Sequence, residues 1–224
     1  MSNIHQRVDQ IEATIQQACN QVGRSRADIQ EIVVTKHRTI AEIQEMYRLG
    51  FRHFAENRVE NLLQRQEQFP QEDIIWHLIG PLQKRKVKQI VNHIQVFHAL
   101  DRLSIADEIE KRLEKQLPCF IEVNVSNEES KHGFHVNELM SAFDELCKYK
   151  HIHVVGLMTM APFDAEKGQL IVYFSQLYQL KQQLEEKYKL QQPLQLSMGM
   201  SNDYVEAICC GATHIRIGTA WFEE

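Results

Sequence analysis

Apolar residues recur three to four apart at Ile4, Val8, Ile11, Ile15, Ala18, Cys19 and Val22. That spacing is one face of a helix, and Gly23 closes it. The pattern then changes. Short β-branched runs at 31–35, 52–56, 74–79, 94–99, 119–125, 152–158, 194–198 and 213–218 alternate with longer stretches of helical spacing. Those stretches cover 40–49, 58–68, 82–92, 102–116, 136–148, 166–189 and 202–210. Thr39-x-x-Glu42 predicts a capping box for the second helix, and Gly50 its stop. Eight strands in 224 residues leave 28 residues to each strand–helix unit. That is the size of a compact (β/α)8 TIM barrel, here with an extra N-terminal helix. An open doubly wound sheet would carry the same alternation, but it usually brings a dinucleotide-binding glycine motif that is absent here. Nine Gly and five Pro fall between the periodic segments, so residues 1–224 are expected to form a single domain.

Composition narrows the function classes. Lys plus Arg number 25 and Asp plus Glu 30, a net charge of −5, which argues against a dedicated nucleic-acid binder. No apolar run approaches the roughly 18 residues a membrane span needs. The polar start, Met1 to Gln10, gives no sign of a signal peptide. Five cysteines, with Cys209 and Cys210 adjacent, show no zinc-type spacing, and eleven histidines show no metal motif. A reduced, cytoplasmic protein without a metal is expected.

In a barrel the chemistry gathers where strands end. Lys36 ends the run Ile32-Val33-Val34-Thr35. A lysine there is expected to be partly buried, which lowers its pKa and frees its amine for a Schiff base with an aldehyde. The alternative is an ammonium that merely snorkels to the rim. Ser197-Met198-Gly199-Met200-Ser201-Asn202-Asp203 follows the seventh strand, where Ser201 is expected to cap the next helix, and Gly218-Thr219 ends the eighth. Small hydroxyl-bearing loops at those two places read together as a phosphate cradle, and singly as ordinary turns. Arg216 alternates with Ile215 and Ile217 and so points into the barrel, as a ligand-facing group or in an internal salt bridge with Glu56 or Glu122. Lysine, cradle and arginine describe a site for a phosphorylated aldehyde: a sugar phosphate, as in a Schiff-base aldolase, or pyridoxal phosphate.

At this point the chain resembles the pyridoxal-phosphate homeostasis proteins, small relatives of alanine racemase with a fold-type III barrel. The resemblance rests on Val34-Thr35-Lys36, Phe54-Ala55-Glu56-Asn57, Trp76 to Gln83, and Asn124-Val125-Ser126 with Ser130 to Phe134. It continues through Gly156 to Met160, Ser197 to Asp203, and Arg216 to Ala220. It implies that Lys36 holds pyridoxal 5'-phosphate as a Schiff base. It also implies that Ser197, Ser201, Gly218 and Thr219 bind the phosphate, that Arg216 faces the pyridine nitrogen, and that Asn57 lies beside the ring. Ala55 departs from an expected glycine, and His37 stands where a small polar residue is commoner.

The function implied is pyridoxal-phosphate binding in intracellular vitamin B6 homeostasis, buffering the cofactor or delivering it to apo enzymes, by a monomer without strong turnover. The rival is an alanine-racemase-like enzyme, which needs acid/base groups on both faces of the substrate carbanion. A cofactor-free aldolase using Lys36, with Glu56 or Glu122 as acid/base, is the third reading. The basic run Lys84 to Lys88 is expected to be a solvated face, Lys131 a surface residue, and Trp76 and His77 core. Met158, Met160, Met198 and Met200 are expected to pack near the mouth.

Overall fold

The computed structural model describes residues 3–126, 128 and 132–223. Its strands are β1 (Gln30–Val34), β2 (His53–Glu56), β3 (Ile75–Leu78), β4 (Val96–Leu100), β5 (Leu117–Asn124), β6 (Phe134–His135), β7 (Ile152–Met158), β8 (Gln195–Met200) and β9 (His214–Ile217). All except β6 form one ring in the order β1-β2-β3-β4-β5-β7-β8-β9, and β9 returns to β1. The pairings are parallel, with Val33 opposite Phe54 on one side of β1 and Gln30 opposite His214 on the other. Closure through β4 and β5 excludes the open-sheet alternative.

The helices are α1 (Asn3–Gln21), α2 (Ile40–Arg48), α3 (Val59–Gln68), α4 (Lys84–Ile90), α5 (Leu103–Glu110), α6 (Leu139–Leu146), α7 (Lys167–Tyr188), α8 (Tyr204–Cys209) and α9 (Thr219–Phe222). Parallel strands covered on both faces need apolar side chains on both, and Ile32 with Val33 or Phe120 with Ile121 supply them side by side. The stripe on α1 buries Ile11, Ile15, Ala18 and Cys19, and the helix packs on α8 and α9. The capping box of α2 forms: the Thr39 hydroxyl accepts the Glu42 N–H while the Glu42 carboxylate accepts the Thr39 N–H at 2.6 Å. Gly50 ends the helix at φ +98. Gly156 lets β8 approach β7, since a Cβ there would stand 2.1 Å from the Gln195 carbonyl oxygen. Among the described residues no helix is long and apolar enough to cross a membrane.

Two elements carry too little periodicity to be read from sequence. The two-residue β6 follows Gly133, whose φ of +111 brings the backbone against Asn124 beside β5. The last helix, α9, has a single turn. The stretch 102–116 shortens to Leu103–Glu110, because residues 111–116, polar except for the buried Leu113, turn back toward β5.

The barrel interior departs from the usual aliphatic filling. His53, His77, His98, Phe120 and His214 lie ring against ring within it, His98 and Phe120 stacked at 4.4 Å and Phe120 and His214 edge-on at 5.2 Å. Trp76 and His77 are core, as expected.

Candidate functional site

Five of the seven candidate residues meet in one cavity of about 400 Å³ at the C-terminal end of the strands: Lys36, Ser201, Arg216, Gly218 and Thr219. That volume lies within the range that small-molecule sites occupy.

Lys36 does not end a buried strand. Strand β1 stops at Val34, and the side chain of Lys36 is exposed on the turn that follows. The Arg38 N–H closes that turn on the Thr35 carbonyl at 3.0 Å, and His37 sits at its third position with φ +62. This is where glycine or asparagine usually stands. The turn thus carries the amine over the cavity, and the fold by itself leaves it in water. The expected burial of Lys36 is corrected.

Ser201 is also placed differently. Asp203, not Ser201, occupies the N-cap of α8, and its carboxylate accepts the Met200 N–H. The Ser201 hydroxyl oxygen instead accepts the N–H groups of Gly218 at 3.2 Å and Ala220 at 3.3 Å, joining the β8 loop to the start of α9. The two loops form one cradle because this side chain binds them.

Arg216 is 3% exposed and makes no salt bridge with Glu56 or Glu122. It donates from Nη1 to Ser197 Oγ at 2.5 Å and from Nη2 to the Thr159 carbonyl at 3.0 Å. Burial pushes its pKa down to about 10 against the opposing charges of Asp203 and Glu122. A guanidinium only donates, so it stays a donor to whatever the cavity holds.

Ser197 lies outside the cavity. It is fully buried in β8, its hydroxyl lying between Arg216 and His98, so it touches the site only through Arg216. Asn57 follows β2 and does not line the cavity, but its Oδ1 is buried without a hydrogen-bond partner, open to a ligand that reaches it. Gly80 permits this packing, since a Cβ there would stand 2.1 Å from the Asn57 carbonyl oxygen. Met160 and Met200 line the cavity, while Met158 and Met198 are buried deeper. Lys131 lies outside the described residues. Lys84, Arg85 and Lys88 are exposed, and Lys86 pairs with Glu60 at 2.6 Å.

Sequence reasoning names Glu56 and Glu122 as candidate acid/base groups but gives neither their contacts nor the place of Phe163. Phe163, 91% exposed, stands at the cavity rim on the loop after β7. Asp101, just after β4, and Glu122, near the end of β5, follow the paired residues Leu100 and Ile121; each has one carboxylate oxygen buried and unpartnered, and neither lines the cavity. Burial, with the Asp101 charge adding, lifts the Glu122 carboxyl to about 7. Thr35 Oγ1 donates to Glu56 Oε1 at 2.7 Å. Strand-end position was the one available signal for the carboxylates. Among the described residues no three metal-ligating side chains converge.

Residues 7–223 match the family model for the N-terminal domain of alanine racemase. The chain is 36% identical to the pyridoxal phosphate homeostasis protein of Aquifex aeolicus over 99% of its own length and 98% of the relative's. It is 35% identical to the protein of the same name from Pasteurella multocida, over 98% of this chain and 96% of that one. Among solved structures it resembles PipY of Synechococcus elongatus, solved with PLP bound, at 29% identity and a TM-score of 0.81, over 93% of this chain and 99% of that one.

Proposed function

The chain belongs to the alanine racemase N-terminal domain family, among the pyridoxal phosphate homeostasis proteins, and from that premise we propose that it binds pyridoxal 5'-phosphate as a carrier. In this reading it acts in vitamin B6 homeostasis, in the cytoplasm, as a monomer of one domain spanning 1–224. Its exchange partners are apo enzymes that need the cofactor, with no part for nucleic acid or membrane. One observation carries the reading: an amine, a guanidinium and a hydroxyl cradle, from residues as far apart as Lys36 and Thr219, converge on a single cavity.

The donor set fits the group. The Ser201 oxygen accepts two backbone N–H groups, so its hydrogen is left for a phosphate oxygen, with Gly218 and Thr219 beside it. Lys36 is the amine available to the aldehyde as a Schiff base. Arg216 faces the pyridine nitrogen as a donor only and keeps it unprotonated. Asn57 Oδ1 takes a place beside the ring. Ser197 supports Arg216 from behind rather than meeting the phosphate, which alters the role expected from sequence. When bound, the cofactor supplies an aldehyde and an electron-accepting ring. An unprotonated ring is a weaker acceptor, which favours holding over turnover.

The deciding experiment mixes loaded protein with an apo pyridoxal-phosphate enzyme and follows recovery of that enzyme's activity, beside a racemase assay on several amino acids. Transfer is expected, with racemisation far below the roughly 1–1000 per second of ordinary enzymes. Racemisation in that range would favour the enzyme reading. Protein that stays colourless with pyridoxal phosphate would favour the cofactor-free aldolase.

A further inference from the structure

Behind Arg216 a line of side chains crosses the barrel interior. Arg216 Nη1 donates to Ser197 Oγ, and that hydroxyl lies 2.8 Å from His98 Nδ1. His98 Nε2 lies 2.8 Å from His77 Nδ1, and His77 Nε2 lies 3.0 Å from His53 Nδ1. The members come from β9, β8, β4, β3 and β2. His77, His98, Ser197 and Arg216 are almost wholly buried, and Phe120 from β5 stacks on His98.

Donor counting gives this line a direction. Arg216 has no acceptor, so the Ser197 oxygen must accept from it. The serine hydrogen then goes to His98 Nδ1, the other contact of that oxygen. Burial holds His77 and His98 well below the ordinary histidine range, so each imidazole is neutral and carries one hydrogen. With Nδ1 accepting, the hydrogen of His98 sits on Nε2 and is donated to His77, which repeats the pattern toward His53. The opposite polarity would aim two donors at the Ser197 oxygen and leave the serine hydrogen to neither contact.

We propose that Ser197, His98 and His77 are positioning residues for Arg216, forming with His53 one directional hydrogen-bond chain in which each imidazole carries its hydrogen on Nε2. The chain and the Thr159 carbonyl grip the two terminal nitrogens of Arg216 from behind, so the guanidinium plane is set before any ligand arrives. The proposal rests on the cofactor reading only for what Arg216 faces.

The first test needs no cofactor. Nitrogen-15 NMR of the ligand-free protein should show pyrrole-type Nε2 and pyridine-type Nδ1 for His77 and His98. A pyrrole-type Nδ1 on His98 would overturn the proposal. The second test loads variants with pyridoxal phosphate and reads the absorption maximum and the dissociation constant. Ser197→Ala and His98→Leu should shift the band alike and weaken binding about tenfold, the effect of losing a hydrogen bond to a charged group. The double variant should be no worse than either. His98→Asn, whose Oδ1 can replace the Nδ1 acceptor, should restore the band. Altered thermal stability with an unmoved band in both single variants would reduce these residues to structural filling. Wild-type protein that gives no band would refute the cofactor reading, while the tautomers would still decide the chain.

Discussion

The Ser201 hydroxyl oxygen accepts the backbone N–H of Gly218 at 3.2 Å, across the gap between the loop after β8 and the start of α9. The Ala220 N–H bonds to the same oxygen, so one side chain sets the width of the cradle. Replacing Ser201 and Thr219 together by Ala is expected to weaken pyridoxal phosphate binding at least tenfold, about 1.4 kcal/mol. Equilibrium dialysis measures it. Undiminished retention would place the phosphate elsewhere.

Among the described residues, Lys36 is the lysine that lines the cavity. Borohydride reduction of loaded protein is expected to fix the cofactor on the peptide containing Lys36, and Lys36→Ala to abolish the Schiff-base absorbance. Mass mapping decides between sites. A label on Lys84 or Lys131 with Lys36 unmodified would sink the assignment.

Gly156 has no room for a side chain, because a Cβ would meet the Gln195 carbonyl oxygen at 2.1 Å. Gly156→Ala must push β8 away from β7 and is expected to cost about 1–3 kcal/mol, the usual range for overpacking. Urea melts test this. Wild-type stability would show that the two strands part freely.

Glu122 makes stability depend on pH. Its folded carboxyl titrates near 7 against an ordinary value of 4.5, so between those values the folded chain holds a proton that the unfolded chain releases. This contribution is present below the unfolded pKa and is lost as pH rises through the folded one. His77 and His98, held neutral by burial, act in the opposite sense and lose stability as pH falls below the ordinary 6.5. Glu122→Gln removes the carboxyl titration alone. It is expected to gain on wild type by about 1–3 kcal/mol more at about pH 8 than at about pH 5. An equal difference at both would show that Glu122 is already charged in the fold.

Alternation of short apolar runs with helical stretches was enough to read the barrel, since its ring strands bury side chains on both faces and Ile32 with Val33 or Leu157 with Met158 had to be apolar together. Strand-end position likewise picked out Lys36, Ser201, Arg216, Gly218 and Thr219. Depth was not legible in the same way. Ser197 and Ser201 belong to one short segment, yet four residues along a strand separate a fully buried hydroxyl from one at the cavity. The exposure of Lys36 depends on a turn that holds His37 in a left-handed conformation, which local sequence disfavours. The line from His53 to Arg216 draws on five strands, and no local spacing encodes a contact between residues that meet only when the ring closes.

The seam between β1 and β9, where Gln30 lies opposite His214, also fixes when the site can exist. During synthesis Lys36 leaves the ribosome early, and Arg216, Gly218 and Thr219 follow about 180 residues later. Until β9 docks, an aldehyde that meets the nascent chain finds an ordinary surface amine without cradle or guanidinium. In the carrier reading, capture of the ligand therefore belongs to the closed barrel. In that reading, a chain stalled between Lys36 and its last strand has the amine but lacks Arg216, Gly218 and Thr219.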